Sequence, residues 1–473
     1  MENLSLLTDL YQLTMIAGYH YCDKQDERSC FDLYFRRNPF KGGYCIAAGQ
    51  EMALQYLESL CFGNDELDYL RSLSLFSPSF LKWLSRFRFE GTVWGLQEGE
   101  PVFPNQPILR VEAPLAQAQL VESALLNLVN FQTLVATKAS RVKSAADNDL
   151  VLEFGLRRAQ GVDGAMAASR ASYIGGCEAT SNTLAGMTYQ IPVKGTHAHS
   201  WIMSFPTELE AFRAYARTYP DSCTLLVDTY DTLKSGLPNA VIVGKELAER
   251  GHRLAGVRLD SGDMAQLSIE ARRMLDEAGL TEARIVASND LDEHEILRLK
   301  ERGAAIDIWG VGTNLVTCKD EPALGGVYKL VASGPELTPR IKVSSNAVKT
   351  TFPDRKQIYR FYDAEGRMVG DQLVRAGEPE PEADRSHRSF STIDTERREL
   401  VGGSIRALLS PLMTRGRRTA PPEALAQKRE RAQRELRTLP ESVRRLTSPE
   451  RYWVGMSEEL QRLRTEMIAQ CLS

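Results

Sequence analysis

The order of apolar and polar positions near the amino end predicts a helix followed by short strands. Leu6, Leu7, Leu10 and Leu13 recur at three- and four-residue spacing, which is typical of one face of an amphipathic helix. The runs CFDLYFRR, EGTVWGLQEGEPVF and PILRVEA follow, and glycine and proline divide them into short strands and turns. A long apolar-periodic segment over 115–146 predicts another helix. This part of the chain therefore fits an α+β domain.

From about Val151 the pattern changes to short apolar strands that alternate with amphipathic helices. The predicted strands are LVLEFG, TLLVDT, LAGVRLD, RIVASND and AIDIWGVGT, and the last four recur at about 30 residues, the length of one βα unit. Thr207 and Glu210 have capping-box spacing. Three glycines follow helical runs as C′ residues do, namely Gly251, Gly279 and Gly303. Such a series predicts a parallel sheet, either open or closed as a barrel.

The last third of the chain mixes strands, a charged segment and helices. GGVYKLVAS and PRIKVS predict strands. Residues 376–398 are charged, contain proline and show no periodicity, which predicts a surface loop or insertion. The tail from about Pro421 interleaves Arg with Glu, as in QKRERAQRELRTLPESVRRL. That alternation predicts a solvated, ion-paired helix rather than a nucleic-acid patch.

The composition is that of an ordinary globular protein. The chain has 473 residues, of which 43% are apolar and 25% charged, and its formal net charge is -4. This balance favours neither nucleic acid nor an anionic membrane. No apolar run approaches the roughly 18 to 20 residues of a membrane span, and MENLSLLTDLYQ has acidic residues where a signal peptide has basic ones. The eight cysteines include no C-x-x-C pair, so we expect a cytoplasmic protein with reduced thiols.

Polar side chains cluster at the carboxyl ends of the predicted parallel strands. In an α/β barrel this edge builds the active site, and an open sheet follows nearly the same rule. Asp290, Ser261 and Asp231 also have a simpler interpretation as helix N-caps, whereas Arg258 has no capping use. The strand-end residues are Glu153, Arg157, Asp228, Arg258, Asp260, Asn289, Asp290, Gly310, Gly312 and Thr313.

The stretch VKGTHAHSW holds two of the six histidines, His197 and His199. A His-x-His pair at a strand end begins the metal site of one class of barrel hydrolases, but that site needs further ligands after later strands. The remaining candidates, His252 and His294, fall within predicted helices. A metal-dependent hydrolase is therefore the weaker interpretation, and no metal ligand is assigned.

Phosphate binding fits the predicted loops better. GVGTN, after a strand, provides backbone N–H groups and a hydroxyl, which is an anion-binding arrangement. Arg157, Arg158 and Arg258 supply planar cations suited to phosphate or carboxylate. Together these features predict a substrate that is phosphorylated, anionic or both.

A series of motifs resembles one enzyme family. In chain order they are LLTDLYQLTM, FDLYFRRNPFKGG, EFGLRRAQG, GTHAHSW, LLVDTYDT, GVRLDSGD, VASND and GVGTNLVTC with ALGGVYKLV. They resemble the motifs of the nicotinate phosphoribosyltransferase family, from about Ser5 to the last predicted helix. This resemblance implies ATP-coupled condensation of nicotinate with phosphoribosyl pyrophosphate, which gives nicotinate mononucleotide and pyrophosphate for NAD synthesis.

The resemblance also implies an architecture and partners. The implied fold is an α/β fold of the type II phosphoribosyltransferases, an incomplete α/β barrel with an α+β domain from the N-terminal segment and part of the C-terminal half. The expected boundaries are 1–135, completed by part of 332–410, then 136–331 for the barrel and 411–473 for a C-terminal helical extension. ATP as co-substrate, Mg²⁺ and a homodimer with shared active sites are implied, without nucleic acid or membrane partners.

Roles for single residues follow from the resemblance. His199 would be phosphorylated by ATP, since a neutral imidazole nitrogen is a competent nucleophile, and Asp228 would orient it. Arg258 would meet the nicotinate carboxylate and Asp260 the ribose hydroxyls, while Tyr11 would stack on the pyridine ring across the dimer. Further substrate contacts are implied for Thr196, Asn289, Gly310, Gly312 and Thr313, and phosphate contacts for Arg36 and Arg157.

His197 bears on the choice between nicotinate and nicotinamide. The related family that uses nicotinamide carries a carboxylate directly after its Gly-Thr pair, because an amide N–H₂ needs an acceptor. His197 occupies that position here, which favours the acid, although nicotinate enzymes more often have an apolar residue there. We expect His197 to fill space. A nicotinamide-using transferase stays open as an alternative. A non-catalytic sensor of NAD precursors is a second alternative, but the presence of every expected chemical residue argues against it.

Overall fold

The computed structural model describes residues 3–346 and 349–472. The chain forms two compact units. Unit 1 comprises Met1–Leu134 with Ala323–Ser473, and unit 2 comprises Val135–Pro322. Strands and helices are numbered in chain order along the whole chain.

Strands occur in both units. They are β1 Arg28–Phe35, β2 Cys45–Ile46, β3 Thr92–Gly95, β4 Pro101–Val102, β5 Leu109–Pro114, β6 Leu150–Glu153, β7 Ala179–Thr180, β8 Thr224–Leu226, β9 Gly256–Leu259, β10 Arg284–Ser288, β11 Ile308–Val311, β12 Gly326–Ser333, β13 Thr338–Pro339, β14 Lys356–Tyr362, β15 Met368–Arg375, β16 His387–Ser391, β17 Arg397–Leu400, β18 Ser404–Ala407, β19 Ser410–Thr414, β20 Arg417–Arg418 and β21 Val454–Met456.

Helices connect and cover these strands. They are α1 Leu10–Tyr21, α2 Gln50–Ser59, α3 Asn64–Ser72, α4 Pro78–Leu84, α5 Leu115–Leu120, α6 Glu122–Ala146, α7 Gly161–Gly175, α8 Thr183–Tyr189, α9 His199–Met203, α10 Glu208–Thr218, α11 Leu237–Glu249, α12 Met264–Glu277, α13 Glu293–Glu301, α14 Thr313–Val316, α15 Leu425–Thr438, α16 Glu441–Arg444 and α17 Glu458–Leu472. Within the described residues, no helix combines the length and apolar composition needed to cross a bilayer.

Unit 2 is built on a six-stranded sheet in which all neighbouring strands are parallel. The strand order is β7-β6-β11-β10-β9-β8. Consecutive residues such as Ile285, Val286 and Ala287 are buried, and because they point to opposite faces, both faces of the sheet are covered. The five predicted strands form β6 and β8 to β11, and the predicted α/β class with an incomplete barrel is confirmed. The short β7 is an addition, since two residues show no period.

The helix ends in unit 2 follow from local sequence. Thr207 caps α10, because its hydroxyl accepts a hydrogen bond from the Glu210 N–H. Arg250, Ala278 and Arg302 close α11, α12 and α13, and a glycine with φ between 77° and 79° follows each of them. Left-handed backbone at that point costs glycine nothing. The predicted C′ glycines are confirmed.

Unit 1 contains two large sheets and a two-stranded ladder. The seven-stranded sheet has the order β13-β12-β1-β5-β3-β19-β20, and the six-stranded sheet has the order β17-β16-β21-β15-β14-β18. In the first sheet the rings of Phe31 and Tyr328 stack with centroids 4.8 Å apart. In the second, Phe361, Leu400 and Trp453 form part of a buried apolar cluster. Burial of these side chains adds to the hydrophobic stabilisation of the unit.

Three predictions for the carboxyl part of the chain are wrong in detail. PRIKVS forms no full strand, since only its first residue, Pro339, belongs to β13. The predicted loop over 376–398 contains β16, where Ser389 is buried and Phe390 and Ser391 pair with β21, while charged neighbours mask the short alternation. The segment 411–473, predicted to be a helical extension, contains the helices α15 to α17. It also contains β20, β21 and most of β19, which pair within the sheets of unit 1.

Candidate functional site

Asp228 is the centre of a hydrogen-bonded group at the carboxyl edge of the unit 2 sheet. It follows β8, and its side chain is only 2% exposed. Oδ1 lies 3.2 Å from Nε2 of His199, the first residue of α9. Oδ2 accepts hydrogen bonds from the Asp260 N–H at 2.8 Å and the Ser261 hydroxyl at 2.6 Å. These contacts satisfy both oxygens of a buried carboxylate, as burial of a charge requires.

Arg258 points its guanidinium into a set of fixed acceptors. Its Nε donates to the Ser288 hydroxyl at 2.9 Å, Nη1 to the Thr196 hydroxyl at 2.9 Å, and Nη2 to Asp260 Oδ1 at 2.7 Å. The guanidinium carbon also lies 5.7 Å from the centroid of the Phe154 ring, within the range of a cation–π contact. Three of the five N–H bonds of the guanidinium are used, so two remain for a ligand.

Asp260 stays ionised in this arrangement. Burial alone would raise the pKa of its carboxyl, but the hydrogen bond from Ser288 and the charge of Arg258 outweigh burial and lower that pKa. Arg258 and Asp260 therefore form an ion pair in which both side chains are charged.

A pocket of about 260 Å³ opens beside this pair. Most of its wall is polar, and its residues come from the carboxyl ends of β9, β10 and β11 and from the segments that follow β6, β7, β9, β10 and β11. Eight of the residues assigned from the sequence line it, namely Arg157, Thr196, Arg258, Asp260, Asn289, Gly310, Gly312 and Thr313. His199 and Asp228 lie outside this lining and join it through Asp260.

Two exposed cations stand at the pocket. Arg157 and Arg158 belong to a short 3₁₀ turn, Leu156–Arg158, after β6, and both side chains are exposed. Neither forms an ion pair within the described part of the chain. Their positive charge is available to an anionic ligand.

The loop after β10 has an unusual backbone. Asn289 and Asp290 have φ values of 105° and 40°, a region that non-glycine residues rarely adopt. The Asn314 side chain donates to the carbonyl oxygens of Asp290 at 2.8 Å and Leu291 at 3.2 Å. These two bonds hold the strained pair against the pocket.

Gly310 is required by an aromatic neighbour. A Cβ at this position would lie 2.7 Å from two carbons of the Phe154 ring, closer than packed carbon atoms approach. Gly310 pairs with Ser288 in the parallel register of β10 and β11. The glycine therefore lets Phe154 lie under the Arg258 guanidinium.

His197 points away from the pocket. It is 8% exposed, its Nε2 accepts a hydrogen bond from the Leu226 N–H at 3.3 Å, and its ring lies 4.6 Å from that of Tyr215. Burial lowers the pKa of His197 to about 4, so the ring is neutral near pH 7. The expectation that His197 fills space agrees with this packing, and its ring also anchors the loop to β8.

Of the three residues interpreted as helix N-caps, one caps a helix and two do not. Asp231 caps the π-helical turn Thr232–Gly236, since its carboxylate accepts from two backbone N–H groups of that turn. Asp290 and Ser261 cap nothing, because the N-caps of the following helices are Asp292 and Asp263. Ser261 instead contacts Asp228, and Asp290 lines the pocket.

Other strand-end and N-terminal candidates lie elsewhere. Glu153 is 1% exposed, and its carboxylate accepts hydrogen bonds from the Ser169 and Thr180 hydroxyls, so it has a structural role within unit 2. Tyr11 and Arg36 belong to unit 1, where Tyr11 is half-exposed on α1. Their substrate contacts stay predictions.

Sequence reasoning missed Ser288 as a site residue. Its hydroxyl contacts both Arg258 and Asp260. A lone serine at the end of a strand gives no chemical signal, and only the parallel register of β9 and β10 brings it to Arg258.

Family comparisons cover most of the chain. Residues 6–130 match the nicotinate phosphoribosyltransferase (NAPRTase) N-terminal domain, residues 150–330 the NAPRTase family, and residues 355–464 the NAPRTase C-terminal domain. The chain is 44% identical over 461 residues to a nicotinate phosphoribosyltransferase of Bacillus subtilis, covering 97% of this chain and 94% of the relative. It is 36% identical over 521 residues to the Homo sapiens protein of that name, covering 98% and 96%.

A solved structure agrees with these matches. The crystal structure of human nicotinic acid phosphoribosyltransferase superposes with a TM-score of 0.87 at 34% identity, covering 97% of this chain and 99% of that one. Matches of this identity and coverage establish kinship beyond a shared fold. The chain belongs to the nicotinate phosphoribosyltransferase family.

Proposed function

We propose that this protein catalyses the ATP-coupled condensation of nicotinate with phosphoribosyl pyrophosphate to nicotinate mononucleotide and pyrophosphate, in NAD biosynthesis. One observation carries the proposal. The Asp228 carboxylate contacts His199 through one oxygen and the Asp260 backbone through the other. A candidate phosphoryl acceptor is thereby joined to a cationic pocket suited to an acidic base and a phosphorylated sugar.

The nicotinate carboxylate binds Arg258. The guanidinium is already held by three partners, so ligand binding orders few additional rotamers. Its two remaining N–H groups can form charge-assisted hydrogen bonds with a carboxylate. Nicotinamide lacks that negative charge, and its N–H₂ group would face a residue that can only donate. Arg258 therefore favours the acid over the amide.

Asp260 and the neighbouring loops hold the phosphoribosyl group. Oδ1 of Asp260 is engaged by Arg258 and Ser288, while Oδ2 takes the ribose hydroxyls as an ionised acceptor. Arg157 and Arg158 supply positive charge for phosphate oxygens. Gly312 and Thr313 add a backbone N–H and a hydroxyl near the same pocket wall.

The condensation exchanges one bond at the anomeric carbon of ribose. The bond from this carbon to pyrophosphate breaks, and the electron pair leaves with pyrophosphate. The nicotinate ring nitrogen donates its lone pair to form the new C–N bond. Because positive charge develops on the sugar, positioning of the base and the fixed carboxylate of Asp260 lower the barrier.

His199 accepts the γ-phosphoryl group of ATP. Its Nε2 faces Asp228, so a proton on Nε2 is shared with Oδ1 and the lone pair remains on Nδ1. Attack by Nδ1 forms an N–P bond and breaks the bond to ADP. The His199 ring is 41% exposed, which leaves room for the nucleotide. Hydrolysis of the phosphohistidine during the cycle shifts the balance toward mononucleotide.

The residues fit a magnesium ion bound mainly through substrate. Within the described part of the chain, no group of three or more His, Cys, Asp or Glu residues could hold a metal by itself. Asp260 and Asp290 offer carboxylates in the pocket, and Mg²⁺ usually combines one or two carboxylates with phosphate oxygens. Bound there, Mg²⁺ would neutralise charge on pyrophosphate.

A cytoplasmic homodimer completes the proposal. On and beside α1, Leu7, Leu10 and Tyr11 are 40%, 52% and 49% exposed, an apolar surface suited to self-association. Tyr11 would then reach the base in the partner subunit. Sedimentation velocity should give the mass of a dimer, and a monomer at micromolar concentration would exclude this part of the proposal.

An assay of mononucleotide tests the function. The purified protein is incubated with phosphoribosyl pyrophosphate, Mg²⁺ and either nicotinate or nicotinamide, with and without ATP. We expect nicotinate mononucleotide, faster with ATP, and little nicotinamide mononucleotide. His199→Ala should lose the acceleration by ATP. Absence of nicotinate mononucleotide under every condition would exclude the proposal, and product from nicotinamide alone would favour the amide-using alternative.

A further inference from the structure

Ser261 makes one hydrogen bond to the residue behind His199. Its hydroxyl donates to Asp228 Oδ2 at 2.6 Å, beside the Asp260 N–H at 2.8 Å. Together the two donors occupy Oδ2 and leave Oδ1 facing His199. Ser261 is not among the described residues that line the substrate pocket.

The plane of the Asp228 carboxylate needs such donors. Rotation of a carboxylate about its last torsion is soft, and the single 3.2 Å contact to His199 is long for a charge-assisted hydrogen bond. The backbone N–H of Asp260 fixes the position of Oδ2, and the Ser261 hydroxyl adds a second direction. Two donors that approach Oδ2 from different directions fix the plane of the carboxylate, whereas a single donor would let the carboxylate rotate.

The His199 ring in turn depends on Asp228. The ring is 41% exposed and stands at the first position of the five-residue helix α9. Burial therefore does little to hold it, and Asp228 is its hydrogen-bond partner in the described structure. A change in the carboxylate plane is transmitted to the direction of the imidazole lone pair.

We propose that Ser261 is a positioning residue for phosphoryl transfer to His199 and acts through Asp228. The proposal rests on the phosphohistidine step of the proposed function. Loss of the hydroxyl removes one charge-assisted hydrogen bond and slows transfer of the γ-phosphoryl group by about tenfold. The ATP-free condensation falls less, because Arg258 and Asp260 keep their own contacts to Ser288.

The backbone around Ser261 is held by other groups. Gly262 takes the left-handed conformation with φ 87°, and Asp263 caps α12 and pairs with Arg302 at 2.7 Å. The Ser261 side chain is exposed, so alanine leaves no cavity. Ser261→Ala should therefore fold normally and report on the hydroxyl alone.

Rapid-quench measurement of acid-labile protein phosphate from γ-labelled ATP tests the proposal. Wild type is compared with Ser261→Ala, with Ser261→Thr, which keeps a hydroxyl, and with Ser204→Ala as a matched control. Ser204 is also exposed in unit 2, and its hydroxyl donates only to the local Trp201 carbonyl at 2.7 Å. Steady-state mononucleotide synthesis without ATP is measured on the same samples.

We expect phosphorylation of Ser261→Ala to fall about tenfold, with a loss several times larger than that of the ATP-free rate. Ser261→Thr should recover most of the rate, and Ser204→Ala should match wild type. Equal phosphorylation of Ser261→Ala and wild type would overturn the proposal, as would parallel losses in the two rates or failure of threonine to rescue. If wild type forms no phosphohistidine while making mononucleotide, the phosphohistidine step of the proposed function fails and the inference falls with it.

Discussion

Arg258 and Asp260 form an ion pair at the carboxyl end of β9, with Nη2 2.7 Å from Oδ1. Both side chains are mostly buried and both line the pocket. The attraction within the pair offsets the cost of partly burying each charge. Two N–H groups of the guanidinium have no hydrogen-bond partner within the described residues and can donate to an anion.

Arg258→Lys should weaken nicotinate binding more than it slows turnover. Lysine keeps the charge but cannot hold Ser288, Thr196 and Asp260 together. We expect the KM for nicotinate to rise by about 10- to 100-fold. Steady-state kinetics measure it, with Arg284→Lys as the control, since Arg284 is exposed at the opposite end of β10. An unchanged KM would separate Arg258 from base recognition.

Asp228→Asn should impair His199 selectively. Asparagine removes the negative charge that supports the imidazole. If its N–H₂ group takes the place of Oδ2, that group also faces two other donors. Phosphohistidine formation should therefore fall by at least about 100-fold. Asp221→Asn is the matched control, because Asp221 contacts His252 at 2.8 Å on the surface of the same unit. Labelled ATP measures the phosphoprotein. Similar losses in both variants would refute a specific role for Asp228.

Gly310→Ala should damage stability and base binding together. The added methyl must displace the Phe154 ring, 2.7 Å away, and overpacking of this kind costs about 1 to 3 kcal/mol. Gly164→Ala, in α7, is the control, because its Cβ meets no atom within 4 Å and helix propensity favours alanine by about 0.5 to 1 kcal/mol. Urea unfolding should show opposite signs for the two variants. A neutral Gly310→Ala would mean that Phe154 moves freely.

His197 predicts a stability loss in acid. Burial lowers its folded pKa to about 4 from an ordinary value of 6.5, so the unfolded chain binds the proton more readily. The contribution of neutral His197 to the free energy of unfolding is therefore fully present above about pH 6.5. It falls as the pH drops from about 6.5 to about 4 and is lost below that, a change on the order of 3 kcal/mol.

His197→Gln isolates this contribution. Glutamine retains an acceptor for the Leu226 N–H but does not titrate. The free energy of unfolding, measured in urea at about pH 7 and about pH 4.5, should fall by 2 to 3 kcal/mol less in the variant than in wild type. An identical pH dependence would show that His197 is protonated within the folded protein.

The parallel sheet of unit 2 was predictable because each strand is a short buried run between marked helices. A polar residue or glycine follows each of β8 to β11 within two residues, at the same edge of the sheet, and the family motifs fall there. β16 was not predictable, since its inward residues, Ser389 and Ser391, carry little apolar signal among charged neighbours.

Site residues were predictable where the residue type is unusual for its position and were missed where the residue type is common there. Arginine at a strand end, as in Arg258, has few structural uses, so its role stands out. Ser261 and Ser288 fit ordinary turns and strand ends. The Ser288 contacts depend on the parallel register of β9 and β10, and the Ser261 contact joins residues 33 positions apart in the chain. No local pattern specifies either.

The end point of the reaction tests the central claim most directly, namely that ATP drives nicotinate mononucleotide synthesis through His199. Nicotinate, phosphoribosyl pyrophosphate and Mg²⁺ are brought to a constant product level with enzyme, with and without ATP, for wild type and His199→Asn. Wild type should reach more nicotinate mononucleotide with ATP than without it, and His199→Asn should reach equal end points. Equal end points for wild type would contradict the claim, because a coupled enzyme must shift the final balance and not only the rate.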